Sequence, residues 1–297
     1  MSNFTDFISS GGGEASKLDI LNPVSGQKAV IKKSMSYTPA INCTAIVTCI
    51  GAGGGGGASG SGQAVATGGA AGGVCQSELS LTAGTTYTIT VGAGGAGGTT
   101  TTSSANGVTG GTTSFTGSNI TDMTATGGTQ GKTTTQSTTS SAGGVGSGGS
   151  IANRTGGGTS VPVAAVAKGC TGGAALGFFE NGKSVTTTGA STTRVDAVGI
   201  DIPPTDVVPQ LKPDIKAGAG ASNDQLEDRV STASDGDFGC GGGFAYNDET
   251  SGGHIYANGG AGGIGAGGGS AYARNSNSSE TSTGGKGGDG MIILEFV

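Results

Sequence analysis

One stretch of the chain matches a motif that binds phosphate. Residues 177–184, GFFENGKS, satisfy the G-x-x-x-x-G-K-[ST] pattern of a phosphate-binding loop. That chemistry requires a helix beginning at the Lys-Ser pair, because the free N–H groups of its first turn hold the phosphates. The next residues, VTTTGASTT, are β-branched and interrupted by glycine, so we predict no helix there. The sequence instead favours a β-hairpin with a type I′ turn at Asn181-Gly182, and it predicts neither nucleotide binding nor any other cofactor.

Patterns for catalysis and metal binding are missing as well. The chain has one histidine, His254, and no nucleophile or acid accompanies it at a motif spacing. The acidic residues between 196 and 237 do not follow the spacing of a calcium-binding loop, and the five cysteines lack C-x-x-C spacing. We therefore predict no metal site, free buried thiols and no enzymatic activity. The alternative, an enzyme acting on surface polysaccharide, would need carboxylates that converge in a groove.

Aromatic side chains point to contact with a partner. Flat rings presented on loops stack on sugars or pack against proteins with little loss of entropy. The alternative for each ring is packing between the glycine tracts and a sandwich. The candidate contact residues are Phe178, Phe179, Tyr246, His254, Tyr256 and Tyr272.

Glycine dominates the composition, with 66 glycines but only 7 prolines among 297 residues. The glycines follow no Gly-X-Y register, which excludes collagen. The net charge is only -6 and 11% of the residues are charged, so self-repulsion does little to keep the chain expanded. The acidic balance also argues against a nucleic acid as partner, and no apolar run is long enough to predict a membrane span.

Short strand patterns separate the glycine tracts. Residues 41–50, INCTAIVTCI, and residues 291–297, MIILEFV, are rich in the β-branched and apolar residues that strands prefer. Residues 78–92, ELSLTAGTTYTITVG, predict a β-hairpin that turns at Ala83-Gly84. Since strand patterns lie at both ends of the glycine-rich interval, we predict one sandwich whose first and last strands could share a sheet.

The glycine tracts can form a second kind of core. An extended threefold helix has no internal hydrogen bonds, so its N–H and C=O groups point outwards. Several such tracts can bond to one another, because glycine puts no side chain between the backbones and keeps its N–H donor. We therefore predict an all-β fold that combines a small β-sandwich with a bundle of glycine-rich polyglycine II-type helices. The predicted structural glycine core comprises Gly53, Gly54, Gly55, Gly56, Gly94, Gly95, Gly97, Gly262 and Gly263.

The order of these segments resembles a known family. A strand runs into a glycine tract in TAIVTCIGAGGGGG, a second tract ends LSLTAGTTYTITVGAGGAGG, and the chain closes with GGKGGDGMIILEF. Over roughly residues 35–297 this order is similar to the glycine-rich domain of tail-fibre and receptor-binding proteins of tailed bacteriophages. In those adhesins the loops between the tracts contact the bacterial surface. The resemblance thus implies binding to a bacterial surface receptor, either a protein or a polysaccharide.

The resemblance also implies an organisation for the chain. Residues 1–35 are expected to attach the protein to other virion tail proteins, and residues 36–297 to form the glycine-rich domain. A loop-rich insertion is predicted at about 185–238. By analogy with phage fibres we expect a homotrimer in the virion tail, made in the host cytoplasm, with a monomeric tip as the alternative. The rival function is a purely structural virion fibre or capsid decoration that binds no receptor.

Overall fold

The computed structural model describes most of the chain outside residues 1–19 and part of the predicted insertion. The described residues are 20–60, 65–101, 103–134, 138–161, 170–171, 173–177, 180–186, 194–195, 197, 221–223, 230–249, 255–275 and 280–297. This part of the protein contains only strands and no helix, so the predicted all-β class is confirmed. Accordingly, no helix in it is long and apolar enough to cross a membrane.

Most strands are short, and the longest ones belong to a sandwich. The strands are β1 (Lys28–Ile31), β2 (Met35–Tyr37), β3 (Cys43–Ile50), β4 (Ala58–Ser59), β5 (Val65–Ala66), β6 (Val74–Leu81), β7 (Tyr87–Thr90), β8 (Thr99–Thr100), β9 (Ser104–Ala105), β10 (Thr113–Thr116), β11 (Met123–Ala125), β12 (Thr133–Thr134), β13 (Thr139–Ser141), β14 (Gly146–Ser147), β15 (Ala152–Arg154), β16 (Thr159–Val161), β17 (Cys170–Thr171), β18 (Val185–Thr186), β19 (Arg194–Val195), β20 (Ala221–Asn223), β21 (Val230–Thr232), β22 (Ala245–Glu249), β23 (Ile255–Asn258), β24 (Ala271–Asn275), β25 (Glu280–Thr283) and β26 (Met291–Phe296).

Two five-stranded sheets form the sandwich. Sheet A has the order β1-β26-β3-β6-β15, and sheet B has the order β14-β11-β10-β7-β2. Alternate residues of β3, including Ala45, Val47 and Cys49, are buried in the core between the sheets. Tyr87 of sheet B stacks on Phe115 at 5.5 Å between ring centroids. Strand β26 pairs with β3 along its whole length, so the prediction that the first and last strand patterns share a sheet is confirmed.

The predicted hairpin at Ala83-Gly84 is wrong. Its two arms, β6 and β7, lie in different sheets, so the chain crosses from sheet A to sheet B instead of pairing with itself. Gly84 has a φ of 75°, a left-handed conformation that glycine adopts without strain. Its N–H donates to the carbonyl oxygen of Pro39, which fastens this crossing to the neighbouring turn.

The sandwich begins earlier than the predicted boundary at residue 35. Ile20 is buried in the sandwich core, and β1 pairs with β26 at the edge of sheet A. An ion pair between Lys28 and Glu295, 3.0 Å from Nζ to Oε1, lies across these two strands. Residues 20–35 therefore form part of the same folded unit, because their strands complete sheets that the rest of the chain builds.

The predicted type I′ turn at Asn181-Gly182 is also not formed. Such a turn needs positive φ at both central residues, and Gly182 is not among the glycines with positive φ. The N–H of Gly182 donates to Thr155, and Val185 begins a strand that runs parallel to β16. These residues therefore bond to neighbouring segments of the chain rather than closing a two-stranded hairpin.

Candidate binding surface and its glycine scaffold

Residues 51–57, which we call the central tract, lie inside a lattice of backbone hydrogen bonds. All seven N–H groups of the tract donate to carbonyl oxygens elsewhere in the chain, at N···O distances of 2.8–3.1 Å. Their partners repeat every third residue. Residues 51, 54 and 57 donate to residues 73, 70 and 67; residues 52 and 55 donate to 111 and 108; and residues 53 and 56 donate to 288 and 285.

The carbonyl oxygens of the central tract follow the same period. They accept from N–H groups of three other tracts: residues 128 and 131 donate to 52 and 55, residues 95 and 98 donate to 53 and 56, and residues 268 and 271 donate to 54 and 57. The central tract therefore has six neighbours. Each neighbour also bonds to the next one around the ring, for example through Ala70 N–H to Thr129 O and Gly285 N–H to Gly269 O. The buried polar backbone is satisfied by other backbone rather than by side chains.

Glycine is required in this lattice because the backbones touch. A Cβ added at Gly53 would lie 1.8 Å from the carbonyl oxygen of Ala266, and one added at Gly55 would lie 2.0 Å from that of Ala96. Real Cβ atoms essentially never approach another atom closer than 3.0 Å. The predicted core glycines Gly53 to Gly56 and Gly95 are fully buried, whereas Gly94, Gly97, Gly262 and Gly263 are half-buried at the edge of the lattice.

The tracts lead from the sandwich to a second group of strands. The central tract starts directly after β3 of the sandwich and ends directly before β4, about 20 Å further on if the tract is extended. At that far end, the chain passes from one tract to another through pairs of short strands. These pairs are β4–β5, β8–β9, β12–β13, β16–β17, β18–β19, β20–β21, β22–β23 and β24–β25.

These strand pairs stack into layers, which we call the far-end sheets. Sheet C has the order β20-β22-β24-β4-β9, sheet D β12-β5-β17-β19, sheet E β21-β23-β25-β8 and sheet F β13-β16-β18. Small apolar residues fill the space between sheets C and E, including Ala257 and Ala271 around Ile255. Asn247, which is buried in sheet C, donates from Nδ2 to the carbonyl oxygen of Tyr256 in sheet E at 3.3 Å.

Two of the candidate contact residues pack inside this region. Tyr246 and Tyr272 lie opposite each other on β22 and β24, with ring centroids 5.0 Å apart and planes 9° from parallel. Both rings are buried together with Phe244. This is the packing that the sequence left as the alternative, and neither ring is presented on a loop.

A third candidate, Tyr256, is on the surface. It is 40% exposed, on the outer face of sheet E. The residues beside it on that face are hydroxyl and amide side chains, such as Asn258 and Thr281, which the sequence reasoning did not select. The sequence signal that could have indicated Asn258 is the alternation of apolar and polar residues in β23, where Ile255 and Ala257 face inwards; β25 carries no such signal, because polar residues occupy both of its faces. His254, Phe178 and Phe179 lie outside the described residues.

Buried thiols occupy the sandwich end of the scaffold. Cys49 and Cys75 face each other across β3 and β6, and both are fully buried and free of disulfides, as predicted. Hydrogen bonding to Cys75, together with burial, raises the pKa of the Cys49 thiol. In the described part of the chain, no three histidine, cysteine or acidic residues come together as a metal site.

The end of the sandwich opposite the tracts exposes apolar side chains. Leu21, Val24, Ile41 and Val297 are all large hydrophobic residues with exposed surface. They lie on connected backbone, since Ala40 N–H donates to the carbonyl oxygen of Leu21, and Val297 N–H donates to the carbonyl oxygen of Thr44 near the start of β3. Ile20, the first described residue, is buried in the sandwich core beside Leu21.

Comparison with known proteins agrees with this glycine scaffold. A family model for a glycine-rich domain matches residues 30–297, which include most of the sandwich, the central tract and the far-end sheets. A search of curated proteins found no match. Since the family match covers most of its length, the chain belongs to the glycine-rich domain family.

Proposed function

We propose that the protein is a tail-fibre or tail-tip adhesin of a tailed bacteriophage that binds a host surface receptor. The observation that carries the proposal is the placement of the tract connections. In the described part of the chain, eight pairs of short strands that join one tract to the next belong to the far-end sheets, so these eight connections converge at the end away from the sandwich. Segments held on a rigid base at one end of a molecule are where recognition is usually found.

We further propose that the tracts form a bundle of polyglycine II-type helices. The threefold repeat of hydrogen-bond partners along residues 51–57 supports this, because a helix with three residues per turn directs every third N–H to the same neighbour. Six neighbours around one tract are what hexagonal packing of such helices requires. Each bond contributes only about 0.5–1.5 kcal/mol, and ordering a residue costs about 1–2 kcal/mol. The bundle therefore needs many bonded tracts and a sandwich that anchors them.

A rigid bundle benefits an adhesin because it holds the connecting segments in place before they meet a receptor. Binding then loses less conformational entropy than it would with flexible segments. The bonds of the central tract are buried and shielded from water, so thermal motion of the base is limited. The receptor, a surface protein or polysaccharide, would meet only the far end.

The opposite end suits attachment to the virion. Its exposed apolar residues, such as Val24 and Ile41, are the kind of surface that packs against another protein. Residues 1–19 come directly before Ile20 in the chain and would join the contact with other tail proteins. In the virion, a homotrimer would be the assembly expected of a fibre, and a monomer would be the assembly expected of a protein at the tail tip.

Cell binding tests the adhesin proposal. Purified protein carrying a fluorescent label is incubated with a panel of candidate host bacteria. In one variant, Gly-Ser segments of equal length replace residues 250–254 and 276–279, which connect β22 to β23 and β24 to β25. A matched control carries Lys32→Ala and Lys33→Ala on the exposed surface of the sandwich.

The adhesin proposal predicts binding to at least one host, lost in the segment variant and kept in the control. Circular dichroism and thermal unfolding verify that both variants remain folded. If folded wild-type protein binds none of the bacteria that the phage infects, the proposal is wrong and a purely structural virion role replaces it. If binding survives replacement of all the connecting segments, these segments do not carry the receptor contact, and that part of the proposal is wrong.

A further inference from the structure

The two outermost far-end sheets present different surfaces. On sheet F, the outward side chains are hydroxyls, and Ser160 donates to Thr186 across β16 and β18 at 3.1 Å. The outer face of sheet E carries hydroxyls as well, but with an aromatic ring among them. That ring belongs to Tyr256, on the interior strand β23 between β21 and β25.

Tyr256 differs from every other tyrosine of the chain. The other four, Tyr37, Tyr87, Tyr246 and Tyr272, are each 1% exposed or less, whereas Tyr256 is 40% exposed. Packing explains the buried rings, since Tyr246 stacks on Tyr272, Tyr87 stacks on Phe115, and Tyr37 packs at a tilt against Tyr87. The core does not use the ring of Tyr256, since Ile255 and Ala257 on either side of it supply the inward contacts of β23.

The side chains around this ring are neutral hydrogen-bonding groups. Thr281 lies in register with Tyr256 on the adjacent strand, about 4.8 Å away between backbones. Asn258 is two residues along β23 and therefore on the same face, where its Nδ2 donates to the hydroxyl of Thr232 at 3.4 Å. Thr283 and Thr99 extend the row across β25 and β8. Among the described residues, this face carries no charged side chain.

We propose that the outer face of sheet E binds a neutral saccharide, with the ring of Tyr256 stacked against a sugar. A tyrosine ring offers a flat apolar surface with a polar edge, and a sugar offers C–H groups on its face and hydroxyls at its edge. The hydroxyls of Thr281 and Thr283 and the amide of Asn258 lie within one or two strand spacings of the ring. They can therefore form hydrogen bonds with the hydroxyls of the sugar. An anionic sugar would find no cation among the described residues of this face to compensate its charge.

This inference rests on the proposed function, because it names the chemistry of a receptor component. It adds that the contact includes a flat sheet face and not only the connecting segments. Sheet F provides the internal comparison. Its outer face has the same hydroxyl chemistry without a ring, so it should not bind sugars measurably.

Binding to a printed array of neutral and anionic oligosaccharides, with the full chain as probe, tests the inference. The best neutral hits are then titrated by saturation-transfer NMR. We expect Tyr256→Ala to weaken binding about tenfold, Tyr256→Phe to retain most of it, and the matched control Thr186→Ala on sheet F to leave it unchanged. Since the residue is exposed on a paired strand, all three variants should fold, which thermal unfolding verifies.

The outcomes separate this inference from the adhesin proposal. If the protein binds host cells but no neutral oligosaccharide, or if Tyr256→Ala does not change saccharide binding, the inference is overturned and the adhesin proposal stands. If it binds neutral sugars through Tyr256 but no host cell, the inference stands and the adhesin proposal falls. A preference for anionic sugars would also contradict the inference.

Discussion

Replacing Gly55 with alanine is the sharpest test of the glycine scaffold. The new Cβ would lie 2.0 Å from the carbonyl oxygen of Ala96, so the tract of residues 92–98 has to move by about 1 Å merely to reach 3.0 Å, the shortest separation that real Cβ atoms show. The N–H groups of Gly95 and Gly98 donate to the central tract at 2.9 Å, and they would move to about 3.9 Å, beyond hydrogen-bond range. Each lost bond leaves buried groups unsatisfied at about 1–3 kcal/mol. We therefore expect a loss of about 2–6 kcal/mol, comparable with the whole stability of many proteins.

Gly57→Ala is the matched control for this prediction. The same substitution in the same tract would place a Cβ 3.1 Å from its nearest atom, the carbonyl oxygen of Lys132, so a shift of a few tenths of an ångström suffices. We expect a change below about 1 kcal/mol. Urea unfolding followed by circular dichroism gives both free energies of unfolding. Equal stability of the Gly55→Ala variant and wild type would refute the reasoning, since a tract that tolerates the methyl group is not packed backbone to backbone.

Thiol alkylation, acid titration and removal of one buried ring test other parts of the structure. The thiol of Cys49, with its raised pKa and full burial, should react with iodoacetamide only after unfolding, as mass spectrometry would show; fast labelling of folded protein would contradict this. Burial raises the pKa of Asp289, but hydrogen bonds from Lys286 and from Gly94 N–H outweigh it and leave that pKa below its usual value. The ionised form of Asp289 therefore stabilises the fold above pH about 4, and this stability is lost as the pH falls through the lowered pKa. The free energy of unfolding in urea should thus differ less between pH 7 and pH 3 in the Asp289→Asn variant than in wild type. Tyr246→Ala should lower the free energy of unfolding by about 3–5 kcal/mol, because it empties half of a buried ring stack; a cost below 1 kcal/mol would show that the stack is not part of the core.

The longer strands of the sandwich could be predicted from sequence, and so could the shared sheet of β3 and β26, but the other strand partners could not. A run of β-branched and apolar residues marks β3, and alternating apolar and polar residues mark β7 and the end of β6. The sequence around Gly84 predicts a hairpin, because two strands close in sequence usually pair. The structure instead separates them into two sheets, since β6 pairs with β3 and β7 pairs with β10. Pairing depends on contacts distant in sequence, which local patterns do not encode.

The glycine tracts illustrate the same limit more strongly. A glycine run such as residues 51–57 indicates that other backbone segments can approach it closely, and the burial of this tract agrees with that expectation. Nothing in the run specifies which tracts surround it, because glycines have no side chains to distinguish one neighbour from another. The flanking strands fix the alignment: β3 and β4 hold the two ends of the central tract in sheets A and C.

The candidate contact residues show what aromatic composition alone can predict. Tyr246, Tyr256 and Tyr272 look alike in sequence, each on a short strand pattern near a glycine tract. In the structure, Tyr246 and Tyr272 face the interior between layers and Tyr256 faces outwards. Which face of a short strand is buried depends on the layers on either side of it, and these layers come from segments far apart in the chain.

Amide hydrogen exchange along residues 51–57 tests most directly the claim that the glycine tracts form the buried, backbone-bonded core. The N–H groups of this tract all donate to other tracts, so we predict protection as high as that of β3 and loss of protection only on global unfolding. The measurement is exchange by mass spectrometry, with peptides that separate the central tract from β3. Exchange of the tract within seconds, while β3 stays protected, would contradict the account and show a flexible linker.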